Sequence, residues 1–101
     1  MIGGSGLIKC YFITYDLNQP GQDYDAVQNA IFRISNYGCI SFWRSSYLIK
    51  TSLLNASEVM NEIRPALDEN DKVIVFEFTV DWNGHLDDEQ TALIHKLLIG
   101  V

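Results

Sequence analysis

The chain of 101 residues is 48% apolar, 12% aromatic and 20% charged, which supplies one buried core, leaves no room for two, and excludes a disordered body. A net charge of -6 excludes the strongly basic footprint of a protein that lives on phosphate backbones. No apolar stretch approaches the roughly 18 residues of a membrane span, and no basic region followed by an apolar run opens the chain, so the expectation is a cytoplasmic protein with no membrane partner.

Residues 1–6, MIGGSG, are glycine-rich and aperiodic and read as a flexible leader; residues 7–101 read as a single domain. LIKCYFITYD, from Leu7 to Asp16, has the aromatic and β-branched content of a strand, and LNQPGQ after it holds a Pro-Gly turn. Asp23 is placed to cap a helix whose apolar positions Tyr24, Val27, Ile31 and Ile34 recur every three or four residues, ending at Gly38. Cys39 to Thr51, CISFWRSSYLIKT, has strand composition on both sides of Ser45-Ser46 and predicts a hairpin with a tight turn or bulge.

Asn55 with Glu58 resembles a capping box, and Val59, Ile63, Ala66 and Leu67 fall on one helical face, with Pro65 predicting a kink or broken last turn. DKVIVFEFTV, Asp71 to Val80, reads as a strand, followed by a turn at Asp81 to Gly84. Asp87 with Gln90 then caps a short C-terminal helix carrying Leu93, Ile94, Leu97 and Leu98.

This order is the ferredoxin-like βαββαβ pattern of an α+β protein: a four-stranded antiparallel sheet, two helices on one face, and a short C-terminal helix. In such a sheet one face is bare and its strands alternate apolar with polar. Here Ile8, Cys10 and Phe12 occupy one parity of the first strand while Leu7, Tyr11, Ile13 and Tyr15 occupy the other, and Val73 and Val75 oppose Ile74, Phe76 and Phe78 in the last. Both faces therefore need cover. The second must meet the terminal helix, the sheet of another copy, or both, and a homodimer is the preferred expectation.

Charge is uneven along the chain. Up to Leu54, Lys9, Arg33, Arg44 and Lys50 nearly balance Asp16, Asp23 and Asp25, whereas beyond it only Arg64, Lys72 and Lys96 stand against ten acids. A polyanion contact must therefore use the first half, around Arg44 and Lys50; the second half reads as a solvating surface or an acidic face for a protein partner. Cys10 and Cys39 are too few and too far apart for a disulfide framework or zinc site and predict buried free thiols. His85 and His95 lack a ligand-spaced companion and predict surface groups. No phosphate-loop, nucleophile-elbow, zinc-protease or dinucleotide-binding motif is present.

Asp16 is the only carboxylate of the first strand. One carboxylate is a poor ligand set for Mg²⁺, which takes oxygen ligands octahedrally, but a two-fold axis would turn one aspartate into two. The competing reading has Asp16 accepting backbone N–H groups of the loop that follows. Arg44, Ser45 and Ser46 at the hairpin tip could hold a phosphate, with Trp43 and Tyr47 either stacking on a base or packing. Asp87, Asp88 and Glu89 suit a helix N-terminus without any ligand.

The strand YFITYD ending in Asp16, the glycine before the hairpin GCISFWRSSYLIKT, and the segment LDENDKVIVFEF resemble the CRISPR-associated protein 2 family, the small ferredoxin-like subunit of spacer-acquisition complexes. The loop YDLNQPGQDY and the DWNG turn look closer to a related group labelled SinR-like, and virulence-associated protein D toxins are similar. The resemblance covers roughly residues 9–84. It implies a symmetric homodimer joined through sheet faces and C-terminal segments, and RNA or DNA as partner. It further implies metal-dependent endoribonuclease activity in some members and noncatalytic scaffolding in others.

By the same resemblance Asp16 matches the family's strand-end aspartate, catalytic and Mg²⁺-binding, and Ser46 matches the serine opening the third strand. In the nuclease reading Arg44 and Ser46, from their place at the hairpin tip, would position the substrate phosphate. The basic cluster that commonly follows that aspartate is replaced here by Asn18, Gln19 and Asp23, and Arg44 stands where a polar amide is usual. The rival expectation is a noncatalytic interaction or regulatory module, defence-related or of toxin–antitoxin type, whose acidic face binds a protein.

Overall fold

The computed structural model describes residues 7–18 and 24–100; the leader, most of the Pro-Gly loop and the Asp23 cap lie outside the described residues. Its elements are β1 (Lys9–Asp16), α1 (Tyr24–Ile34), β2 (Gly38–Trp43), β3 (Ser46–Thr51), α2 (Ala56–Ile63), β4 (Lys72–Phe78) and α3 (Asp88–Leu97). The strands form one antiparallel sheet in the order β2-β3-β1-β4, so the first and last strands are neighbours, as the ferredoxin-like pattern requires.

Register decides which parity meets which layer. Tyr11, Ile13 and Tyr15 of β1 face the same side as Tyr47 and Ile49 of β3, and this set packs with Val27, Ile31 and Ile34 of α1 and Val59 and Ile63 of α2. Each fully buried isoleucine or valine there is stabilising by about 1.5–3 kcal/mol relative to exposure. The buried Tyr11 satisfies its hydroxyl by donating to the Leu53 carbonyl at 3.1 Å.

The opposite parity faces α3. Cys10, Ile40 and Leu48 pack with Ile94 and Leu98, with Phe42, Phe78, Trp82, Leu86 and Leu97 around them. The terminal helix thus covers part of the second face, as the doubled apolar parity demands. It does not cover all of it: Ile74 and Phe76 stay 50% and 53% exposed, in register with Thr14 and Phe12.

Local chemistry sets the element ends. Asn55 caps α2 by accepting the Glu58 N–H at 2.9 Å, but the Glu58 carboxylate takes the Leu54 N–H at 2.7 Å, so the expected reciprocal box is displaced by one residue. Pro65 breaks the helix as expected: α2 stops at Ile63 and a 3₁₀ turn, Arg64–Ala66, follows. The Asp87–Gln90 capping box of α3 is complete. The hairpin turn falls at Arg44-Ser45, one residue earlier than predicted, because Ser46 already pairs with Thr14. Cys10 is buried and Cys39 half-buried, both free thiols, and His85 and His95 are exposed.

Candidate functional site

Asp16 ends β1 on the second face of the sheet, exposed, at the rim of a shallow depression of about 260 Å³ lined with Thr14, Tyr15, Lys72, Val73 and Ile74. Its register partner is Lys72, the first residue of β4, so the two opposite charges face each other across adjacent strands. The ion pairs that close among the described residues are elsewhere, Lys9–Glu77 at 3.8 Å and Arg33–Glu62 at 3.7 Å. Lys72 was not singled out by the sequence, where it is one of three scattered cations; only the antiparallel pairing brings it beside Asp16.

Just beyond β1, Asn18 is tied by a different carboxylate. Asp71 accepts the N–H of Asn18 at 2.8 Å through one oxygen and the N–H of Asp68 at 2.9 Å through the other. Asp68 in turn accepts the N–H of Asn70 at 2.9 Å. Among the described residues the Asn18 N–H thus goes to Asp71, and Asp16 has no backbone N–H partner.

The hairpin residues divide between the two faces. Ser46 shares the second face with Asp16, two register positions away, but it is buried and its hydroxyl is hydrogen-bonded to that of Thr14 at 3.0 Å. Arg44 is on the other side: its guanidinium lies over the Tyr24 ring, 5.1 Å from the centroid, at the start of α1. A bulge between Ser41 and Trp43 explains this, since it places Trp43 in register with Ser46 and returns Arg44 to the helix face. Asp16, Ser46 and Arg44 therefore do not converge on one point in the chain. Tyr47 is a packing residue, stacked on Tyr15 with a 7° interplanar angle and held by the Gln28 amide at 2.8 Å. Trp43 is 58% exposed and contacts Phe42, which reaches Phe12 on the second face.

Among the described residues no three His, Cys, Asp or Glu side chains gather as a ligand cluster. A hard divalent cation needs about six oxygens, and among the described residues lining this depression the only carboxylate is Asp16, with Lys72 in register opposite it. The described residues of a single copy do not by themselves fit Mg²⁺. Asp87, Asp88 and Glu89 form the first turn of α3 and its cap, where the helix dipole favours them. No helix of the described residues is long and apolar enough to cross a membrane.

The chain matches no family model, and no curated protein matches it.

Proposed function

We propose that the protein is a homodimeric, CRISPR-associated protein 2-like endoribonuclease that acts on RNA with Mg²⁺, its Asp16 residues paired across a two-fold axis. One observation carries the reading: the part of the second sheet face left open by α3 is apolar, with Phe12, Ile74 and Phe76, and it ends at Asp16. An open apolar sheet face is energetically costly in water and is relieved by a matching face. Joining two copies there would supply the second carboxylate that one protomer lacks. Bound between them, the cation would act as Lewis acid on the phosphodiester. Asp16 would hold it, and Lys72, rather than Arg44 or Ser46, would offset the charge of the phosphate.

The test compares cleavage of a single-stranded RNA by wild type and Asp16→Asn with and without Mg²⁺. Metal-dependent cleavage lost in Asp16→Asn supports the reading; equal activity, or none in either, ends it. Asp16 is exposed, so the variant keeps its fold and its loss would be chemical.

A second reading, a noncatalytic regulatory module that binds a protein through its acidic half, draws on the exposure of Asp88 and Glu89 beside the Asp87 cap. It expects no cleavage, and a partner released when the three acids are neutralised together.

A further inference from the structure

On the helix face, away from Asp16, a recess of about 210 Å³ opens between the start of α1 and the hairpin turn, lined by Tyr15, Tyr24, Asp25, Gln28, Arg44 and Tyr47. It lies below the ~300 Å³ lower end of ordinary small-molecule pockets, so it suits one ring system rather than an extended ligand. Its back is rigid. Tyr15 and Tyr47 are buried and parallel at 6.3 Å between centroids, and Tyr24 tilts against Tyr15 at 5.8 Å.

The rim carries the chemistry. Arg44 lies 5.1 Å over Tyr24, a planar cation already set on an aromatic ring. Gln28 gives one amide hydrogen to the Tyr47 hydroxyl at 2.8 Å, which fixes the amide plane. Asp25 is exposed in the first turn of α1, three residues before Gln28 and hence on the same side of the helix.

We propose that this recess binds a guanine base, with Arg44 stacking on the ring and Asp25 reading its edge. A carboxylate can accept two parallel hydrogen bonds. Guanine presents N1–H and the exocyclic amine side by side, with O6 next to them for the second amide hydrogen of Gln28. Adenine and cytosine put a ring-nitrogen acceptor beside their amine, and uracil flanks its one N–H with two carbonyls, so each turns a lone pair toward Asp25. Guanidinium and aromatic planes bind any base face; the carboxylate is what selects. The guanine could belong to a free nucleotide or to an RNA strand. This extends the RNA reading above but stands on different residues, so the two can fail separately.

The test is an NMR titration of the ¹⁵N-labelled full chain, following the Gln28 side-chain amide and the Arg44 Nε–H. Ligands are GMP, AMP, CMP, UMP, inorganic phosphate, and two short single-stranded RNAs, one all uridine and one with a single guanosine. GMP should give saturable shifts at least about tenfold tighter than the other nucleotides, the scale of one good bidentate base contact. Asp25→Asn should remove that preference, and Asp16→Asn should leave it intact. Tighter binding of the guanosine-containing RNA than of GMP would identify a strand as the source, and the reverse a free nucleotide. Equal shifts from all nucleotides, the same shifts from phosphate alone, or none at millimolar GMP would overturn the proposal.

Discussion

The Asp71 carboxylate, at the entry to β4, accepts the main-chain N–H of Asn18 at 2.8 Å, just beyond the end of β1. Its other oxygen takes the Asp68 N–H at 2.9 Å, so one side chain fastens the exit of the strand that carries Asp16 to the turn that introduces Lys72. Charge-assisted bonds to backbone N–H groups are stronger than neutral ones, and their partial exposure lets water replace some of that. Asp71→Ala should cost about 1–2 kcal/mol by urea unfolding and speed hydrogen exchange at Asn18. Asp71→Asn, which keeps one good acceptor, should lose less. An unchanged Asn18 exchange rate in Asp71→Ala would show that this carboxylate does not protect the Asn18 N–H.

How much of this was legible beforehand differs between fold and site. The order of elements could be read because runs of aromatic and β-branched residues give way to apolar residues three or four apart where the helices begin, and because Pro65, Asn55 and Asp87 act within a few residues of themselves. The need for cover on both sheet faces was legible too, since both parities of β1 and β4 are apolar. Which parity meets α3 was not, because equal hydrophobicity on both faces leaves register undetermined until the strands pair. The site was harder still. The bulge at Ser41/Trp43 sends Arg44 to the Tyr24 side, and a one-residue insertion of that kind leaves no mark in composition. Lys72 and Asp71 act on β1 across more than fifty residues of chain, and a short Asp-rich turn looks the same whether or not its carboxylate reaches another strand.

Gly38 has φ of +145°, and a methyl group there would meet Leu97 Cδ1 at 2.5 Å. The glycine thus serves two ends: it lets β2 begin directly after α1, and it leaves space for the last turn of α3. Gly38→Ala should destabilise the protein by about 1–3 kcal/mol through backbone strain and overpacking. Leu97 can be shortened, so the double variant with Leu97→Ala should recover the steric part and leave the φ part. Additive losses in that cycle, measured by chemical denaturation, would show that the two positions do not touch.

Burial raises the thiols of Cys10 and Cys39 above their ordinary 9.0, with Lys50 partly offsetting the first and a Ser35 hydrogen bond the second. Burial likewise raises the phenol of Tyr15 above 10.0, helped by Tyr47 and then Tyr24, and that of Tyr11, helped by Glu77 and Glu58. In every case the folded state holds its proton more tightly than the unfolded chain. That contribution to stability is fully present below the unfolded values and is lost as pH rises through the raised folded ones. The thiol contribution should therefore be flat up to about pH 8 and fall above pH 9, with the tyrosines adding to the decline above pH 10. Urea midpoints measured across this range would check it, and Cys10→Ala with Cys39→Ala should flatten the first segment only.

Phe76 and Ile74 are half exposed on the part of the second sheet face that α3 leaves open. Enclosing such side chains against a second copy is worth about 1.5–3 kcal/mol each when burial is complete, and symmetry doubles every contact. Wild type should therefore sediment at about twice the 11.5 kDa chain mass at tens of micromolar. Phe76→Asp should fall to the mass of one chain, since pairing the sheets would bury two unpartnered carboxylates near one another. Both variants with a charge at this face, Phe76→Asp and Ile74→Lys, should keep the wild-type far-ultraviolet circular dichroism, because the side chains at these positions are already half exposed to solvent in the single chain. A wild type that stays at one chain mass throughout this range would remove the paired Asp16 site with it. A dimer that survives both substitutions would move its interface elsewhere.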